Sequence, residues 1–152
     1  MYSFYLIPIP PYKEILKKHK RAYNCLLFQT HYDYYICVPY RSEIRHNYAY
    51  KFKHSKRSQY RKSGLDYTKI IIIREKEYID VKDTIIDKDE FKETVVNIEK
   101  IKQEALDFVE AYIKHIKGEV VLHNSEFERR YKYSPLKYFH REMNISAEDV
   151  QN

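Results

Sequence analysis

The hydrophobic pattern of this 152-residue chain changes period once, near residue 88, and that change sets the fold class. Before it come short runs rich in Ile, Val, Tyr and Phe, separated by turn residues. After it, Phe91, Val95, Ile98, Lys102, Ala105, Phe108 or Val109, Tyr112 and Ile116 recur every three or four positions. The first pattern belongs to strands and the second to an amphipathic helix. Strands are expected over residues 2–7, 22–29, 32–39, 48–52 and 67–74, the last carrying Ile70, Ile71, Ile72 and Ile73, with a short edge strand over 77–81. Pro11 can start a short helix over 11–19, and Thr30–His31 forms a tight turn between strands. One long helix is expected over 88–117, ended by Gly118. Ser125-Glu126-Phe127-Glu128 has capping-box spacing and opens a helix through Tyr131. Ser134-Pro135 opens a last helix with Leu136, Phe139 and Met143, and the chain frays after Ile145. The expectation is one α+β domain over 1–152, with a β-rich core of about 1–81 and a helical part of about 88–145. Closing some six short antiparallel strands into a small barrel would remove exposed edges.

Bulk composition narrows the class further. Hydrophobic residues make up 43% and charged residues 33%, which suits a globular chain. Two glycines and five prolines argue against flexible linkers. No apolar run approaches the ~20 residues of a membrane helix, and the N-terminus lacks a basic region with a small-residue cleavage site. A cytoplasmic chain without membrane contact is expected. Cys25 and Cys37 fall in separate expected strands, with spacing that suits neither a zinc pair nor a disulfide framework. They are expected as buried free thiols.

Charge is distributed unevenly. Residues 41–62 hold eight Lys and Arg against one acid, Glu43, whereas residues 75–110 hold twelve acids against six lysines. A basic block facing a polyanion and an acidic block facing water is the simplest reading. The basic segment also carries Tyr48, Tyr50 and Tyr60 between its charges. Cations and short hydroxyls suit phosphate, and aromatic rings suit unstacked bases, so single-stranded RNA fits better than an acidic protein.

RNA supplies its own nucleophile, the 2′-OH. An enzyme needs a group to take that proton, cations for the pentavalent phosphate and a donor for the leaving 5′-oxygen. Histidine titrates near ~6.5 and can do the proton work, and His46 and His54 both lie in the basic block. Asp66 is the one acid close by, able to orient a neighbour or pair with arginine. Two-metal cutting would need converging carboxylates; the acids cluster on the long helix instead, where a solvated face explains them. No Walker loop, dinucleotide fingerprint or zincin motif is present, so neither metal nor cofactor is expected. Residues 127–139 read as a packed helical pair, or as a helix-turn-helix with Arg129, Arg130, Lys132 and Lys137 on phosphates.

With these residues laid out, the chain resembles the endoribonuclease toxins of type III toxin–antitoxin systems, the ToxN/CptN/TenpN group. Phe4-Tyr5-Leu6-Ile7 followed by residues 12–16 looks like the family's first strand and helix. Tyr35-Ile36-Cys37-Val38-Pro39 looks like the strand entering its active-site turn, and Arg41-Ser42 sits where members carry a Thr-Ser pair followed by lysine. Gly64-Leu65 with Lys69 and the isoleucine strand looks like the next block, and residues 52–58 through 63–67 resemble the CptN/TenpN branch.

The resemblance implies an SH3-like barrel related to the MazF/PemK toxins, decorated with helices. It implies metal-independent cleavage of cellular or phage RNA to a 2′,3′-cyclic phosphate. It also implies a small repeat RNA, folded as a pseudoknot, that the toxin cuts from its precursor and that then blocks it, giving an RNA-mediated oligomer in the bacterial cytoplasm. Carried over by position, Arg41 is a transition-state cation and Ser42 a phosphate or 2′-OH contact. Glu43 departs from the pattern, and the basic groups His54, Lys56 and Arg57 stand in for the missing cation. The expected catalytic set is therefore Arg41, Ser42, His54, Ser55 and Lys56. The expected RNA-binding set is Arg45, His46, Lys53, Arg57, Ser58, Tyr60, Arg61, Lys62 and Lys69. The alternatives are a MazF-like RNase held by a protein antitoxin, and a non-catalytic RNA-binding module.

Overall fold

The structure is a computed structural model that describes residues 3–5, 24–76 and 87–150. It is α+β. In chain order the elements are β1 Ser3–Tyr5, β2 Cys25–Gln29, β3 Tyr35–Arg41, β4 Ala49–Lys51, α1 Lys56–Arg61, β5 Gly64–Asp66, β6 Ile71–Ile73, α2 Lys88–Val96, α3 Ile98–Ile116, α4 Asn124–Tyr131 and α5 Ala147–Val150. The strands form one antiparallel sheet in the order β1-β2-β3-β5-β4, with β6 also on β3. Among the described residues the end strands β1 and β4 do not pair, so the sheet they form is open. The expected helix over 11–19, the edge strand over 77–81 and the ends of the strand over 2–7 lie outside the described residues.

β3 organises the sheet. One edge pairs along its length with β2, from Tyr35↔Gln29 to Pro39↔Cys25. The other edge changes partner, pairing residues Tyr35 to Cys37 with β6 and Tyr40 and Arg41 with β5. Pro39 sits at the change. Backbone donors alternate sides along a strand, and the Tyr40 N–H goes to Asn24 O on the β2 side at 2.9 Å. The missing N–H of Pro39 therefore falls on the side where β6 ends and β5 begins, where a ladder bond can be spared. Gly64 opens β5 for a steric reason, because a Cβ there would collide with the Tyr50 carbonyl of β4. The expected strand over 67–74 is thus divided. Tyr67–Lys69 forms a 3-10 turn, capped by the Asp66 side chain, before β6 resumes the isoleucine run.

Cys25 and Cys37 are joined by a disulfide between β2 and β3, which corrects the expectation of free thiols. Their spacing of twelve residues spans one hairpin, and the register sets them on a diagonal, Cys25 opposite Pro39 and Cys37 opposite Leu27, with Cα atoms 5.9 Å apart. That is within bridging distance.

The second half departs from one long helix. α2 and α3 are separated at Asn97, whose side-chain amide donates to Glu93 O at 2.9 Å. α3 lays Ile98, Ile101, Ala105, Phe108, Val109 and Tyr112 into a core shared with Leu26, Ile36, Val38, Leu65, Ile70 and Ile72. Each fully buried aliphatic side chain contributes about 1.5–3 kcal/mol. Gly118 ends α3 with φ +73°, and the N–H groups of Gly118 and Glu119 return to His115 O and Lys114 O, a Schellman closure. α4 starts at Asn124 with His123, not Ser125, as its cap. Ser134 caps a 3-10 turn over Pro135–Tyr138. Among the described residues no helix is long and apolar enough to cross a membrane.

Candidate functional site

Asp66 is the centre of the site. It ends β5 and its carboxylate turns back onto the next residues, as short acids do at turn starts. Oδ1 accepts from the Thr68 N–H at 3.0 Å and from Thr68 Oγ1 at 2.6 Å. Oδ2 accepts from Arg41 Nη1 at 3.1 Å. His46 Nε2 lies 3.1 Å from Oδ1 and 3.4 Å from Thr68 Oγ1. The carboxylate is almost fully buried, with 2% of its side-chain surface exposed, whereas Arg41 and His46 keep 31% and 34%. A buried anion thus holds a guanidinium and an imidazole at the surface, side by side.

The His46 tautomer follows from its neighbours. The Tyr48 N–H donates to Nδ1 at 3.1 Å, so Nδ1 is an acceptor and the ring hydrogen sits on Nε2, facing Asp66 and Thr68. Arg41 uses one guanidinium nitrogen on Asp66. Its Nε and Nη2 make no hydrogen bond among the described residues and are geometrically suited to two phosphate oxygens. Beyond His46 the Tyr48 ring stacks at 6.2 Å, and Arg130 of α4 lies 5.5 Å from that ring's centroid. Glu126 fixes Arg130 through Nε at 2.6 Å and accepts from Tyr48 Oη at 3.3 Å. Hydrogen bonds from Arg130 and Arg129 hold the Glu126 carboxyl below the usual range.

A second arrangement holds the rest of the basic segment. α2 is polar on its inner face, where Glu90, Glu93 and Thr94 are buried, while Phe91, Val95 and Val96 face out. The Glu93 carboxylate accepts from the Lys53 N–H and the His54 N–H at 3.0 Å each and from Tyr50 Oη at 3.0 Å. Burial, reinforced by that carboxylate, pushes the Tyr50 hydroxyl up to about 12. Glu90 Oε1 lies 3.1 Å from Arg57 Nε as an ion pair without hydrogen-bond alignment. Thr94 Oγ1 shares a hydrogen with Tyr40 Oη at 3.0 Å. The expectation that the helix acids form a solvated face is corrected for these two, which clamp the basic loop instead.

The remaining expected residues take distinct places. Ser42 and Arg45 lie on the turn after β3, half-buried and exposed respectively. That turn is anchored by Glu43 N–H to Arg61 O and Ile44 N–H to Lys62 O, with Glu43 in the left-handed region at φ 60°. Ser55 is fully buried and spends its hydroxyl on capping α1, accepting from the Ser58 N–H, while Ser58 Oγ donates to Ser55 O. The side chains of Lys53, His54, Lys56, Tyr60, Arg61 and Lys62 are exposed, Tyr60 at 74%. Arg61 pairs loosely with Glu43 at 3.9 Å. Lys69 Nζ donates to Tyr133 O at 2.7 Å. Tyr50, expected as a base platform, is buried against Glu93. Arg41 and His46 are brought together by Asp66; among the described residues no hydrogen bond or ion pair joins residues 54–57 to that cluster.

Thr68 lies in the functional-group-rich segment but is in neither expected set, and the Glu90–Glu93 clamp is in neither as well. The Asp66-x-Thr68 spacing signals a side-chain-capped turn and points to the first. No local signal marks the second, because the partners are separated by 33 to 43 residues. Among the described residues no three His, Cys, Asp or Glu side chains group as metal ligands do. Comparison with protein-family models, curated proteins and solved structures found no match to this chain.

Proposed function

We propose that the chain is a metal-independent endoribonuclease of the type III toxin kind, acting on single-stranded RNA at the end of β3. The observation that carries this reading is the pair Arg41 and His46, held half-exposed on the buried carboxylate of Asp66. A pre-oriented guanidinium can meet charge developing on a phosphate without reorganising, which is the usual source of electrostatic rate enhancement. Arg41 then binds the scissile phosphate with Ser42 beside it, and Asp66 positions Arg41. The exposed imidazole of His54 and ammonium of Lys56 are the groups offered for proton transfer and charge stabilisation. The exposed cations Arg45, Lys53, Arg61 and Lys62 supply contacts to flanking phosphates.

The fold and partner belong to the same proposal. The change of partner along β3 at Pro39 is the kind of bend from which an SH3-like barrel is built, and it supports that finer description. A pseudoknot RNA antitoxin that the toxin processes would occupy the same cationic surface as substrate, with phage RNA or cellular RNA as target. A second reading, a non-catalytic RNA-binding module, is favoured by one observation: both ring nitrogens of His46 are engaged, one by Tyr48 and one by Asp66.

The two readings separate in one assay. Purified chain incubated with single-stranded RNA in EDTA should yield fragments ending in 2′,3′-cyclic phosphate. Retention of intact RNA in a stable complex would support the module, and neither cleavage nor binding would remove both. A protein antitoxin in place of an RNA is excluded if a small RNA of defined length co-purifies.

A further inference from the structure

Residues beyond the Asp66 cluster continue its cationic surface onto another element. Lys69, one residue after Thr68, closes the capped 3-10 turn and reaches the turn after α4, where it donates to Tyr133 O at 2.7 Å. Tyr133 is 65% exposed, which leaves most of its ring out of the core. Two ammonium groups stand over that ring, Lys69 at 5.9 Å and Lys132 at 5.5 Å from its centroid. Lys132 and Tyr133 are both at the surface between α4 and the Ser134-capped turn, whose Ser134 N–H bonds Tyr131 O and holds the bend.

From this arrangement we infer that Tyr133 is a stacking subsite for one unpaired base of a single-stranded RNA, with Lys69 and Lys132 taking the phosphates on either side. The inference rests on the reading of the chain as an RNA-binding protein and extends it to α4. Once the two ammonium groups swing from over the exposed ring onto phosphate, its face is one that any unpaired base can cover, and stacking of this kind is tolerant of sequence. The flanking lysines suit phosphate as point charges. A duplex does not fit, because its base faces are already stacked on one another. The covalent step from Thr68 to Lys69 ties the subsite to the Asp66 cluster, so the RNA that reaches Arg41 can run on toward α4.

The chain contains no tryptophan, so Tyr133→Trp introduces a single reporter at the subsite. The probe is a twelve-nucleotide oligouridylate with 2′-O-methyl groups, which cannot be cut by 2′-OH attack. Saturable quenching of that tryptophan by the oligonucleotide, absent with a duplex of the same length, is expected. In anisotropy titrations Tyr133→Ala should weaken binding about tenfold, within the range of a lost base–aromatic stack. Tyr133→Phe should bind as the parent does, and Lys132→Ala should flatten the salt dependence by roughly 0.7 in log–log slope. Circular dichroism of Tyr133→Ala checks its fold. If the parent binds and Arg41→Ala weakens it while Tyr133→Ala binds normally and Tyr133→Trp is not quenched, the subsite is overturned and the RNA reading stands. If the parent binds no single-stranded RNA, both fall.

Discussion

Glu93 offers a quantitative test of how the basic loop is held. Its carboxylate takes three donors, the Lys53 and His54 N–H groups and Tyr50 Oη, each at 3.0 Å. In Glu93→Ala all three lose their acceptor. The two N–H groups belong to exposed residues, so water can replace the carboxylate at about 0.5–1 kcal/mol each. The Tyr50 hydroxyl is buried, and orphaning it costs about 1–3 kcal/mol. The sum is roughly 3 kcal/mol, which for a chain of this size lowers the melting temperature by about 6–12 °C. Glu93→Gln keeps an oxygen for the two N–H groups and turns its amide toward the tyrosine oxygen, so its loss should stay under about 1 kcal/mol. Thermal melts followed by circular dichroism at neutral pH measure both. Should the alanine variant melt within 2 °C of the parent, or the glutamine variant melt as low as the alanine one, the clamp is refuted.

Other predictions follow from the same contacts. Asp66→Asn keeps acceptance from Thr68 but sets an amide against Arg41, so RNA affinity should fall about tenfold in an anisotropy titration while thermal stability drops by roughly 2 kcal/mol, the scale of one charge-assisted hydrogen bond. Arg57→Ala leaves the buried Glu90 carboxylate without its ion-pair partner, and because Arg57 is partly exposed the loss should be about 1–2 kcal/mol by denaturant titration. Lys56→Ala should leave stability unchanged, weaken RNA binding and flatten its salt slope. Burial pushes Tyr34 and Tyr131 up to about 12 from an ordinary value of 10. In the unfolded chain both ionise at lower pH than in the fold, so their contribution is complete below pH 10 and is lost as pH rises toward 12. Each tyrosine accounts for about 1.4 kcal/mol per pH unit across that window. Absorbance at 295 nm should therefore show a late, cooperative ionisation coincident with unfolding.

The legible parts of the fold were those set by local pattern. Residues 25–29, 35–41 and 71–73 carry strand composition and are strands, and Gly118 ends a helix where the closing turn takes a positive φ. Arg41 and His46 stood out through charge and chemistry, and they share a carboxylate. What was hidden depends on distant partners. The periodicity 91, 95, 98 places Phe91 and Val95 inward, yet the buried positions are Glu90, Glu93 and Thr94, one step round the helix. The pull of Arg57, two backbone N–H groups and two tyrosine hydroxyls outweighed the burial of two apolar side chains. α1 carries no helical period because its six residues bury no apolar face and depend on the Ser55 cap. The disulfide leaves no local signal because its pairing depends on hairpin register, which is set by the 30–34 turn that bonds Thr30 to Tyr34.

The most direct measurement is the rate at which parent and Arg41→Ala cut one defined single-stranded RNA in EDTA under single-turnover conditions. A guanidinium steadied by Asp66 against the scissile phosphate predicts cutting by the parent and a fall of at least about a hundredfold in the variant, the scale of one lost transition-state donor. Equal rates for the two proteins, or an inert parent that has folded and binds the RNA, would contradict it.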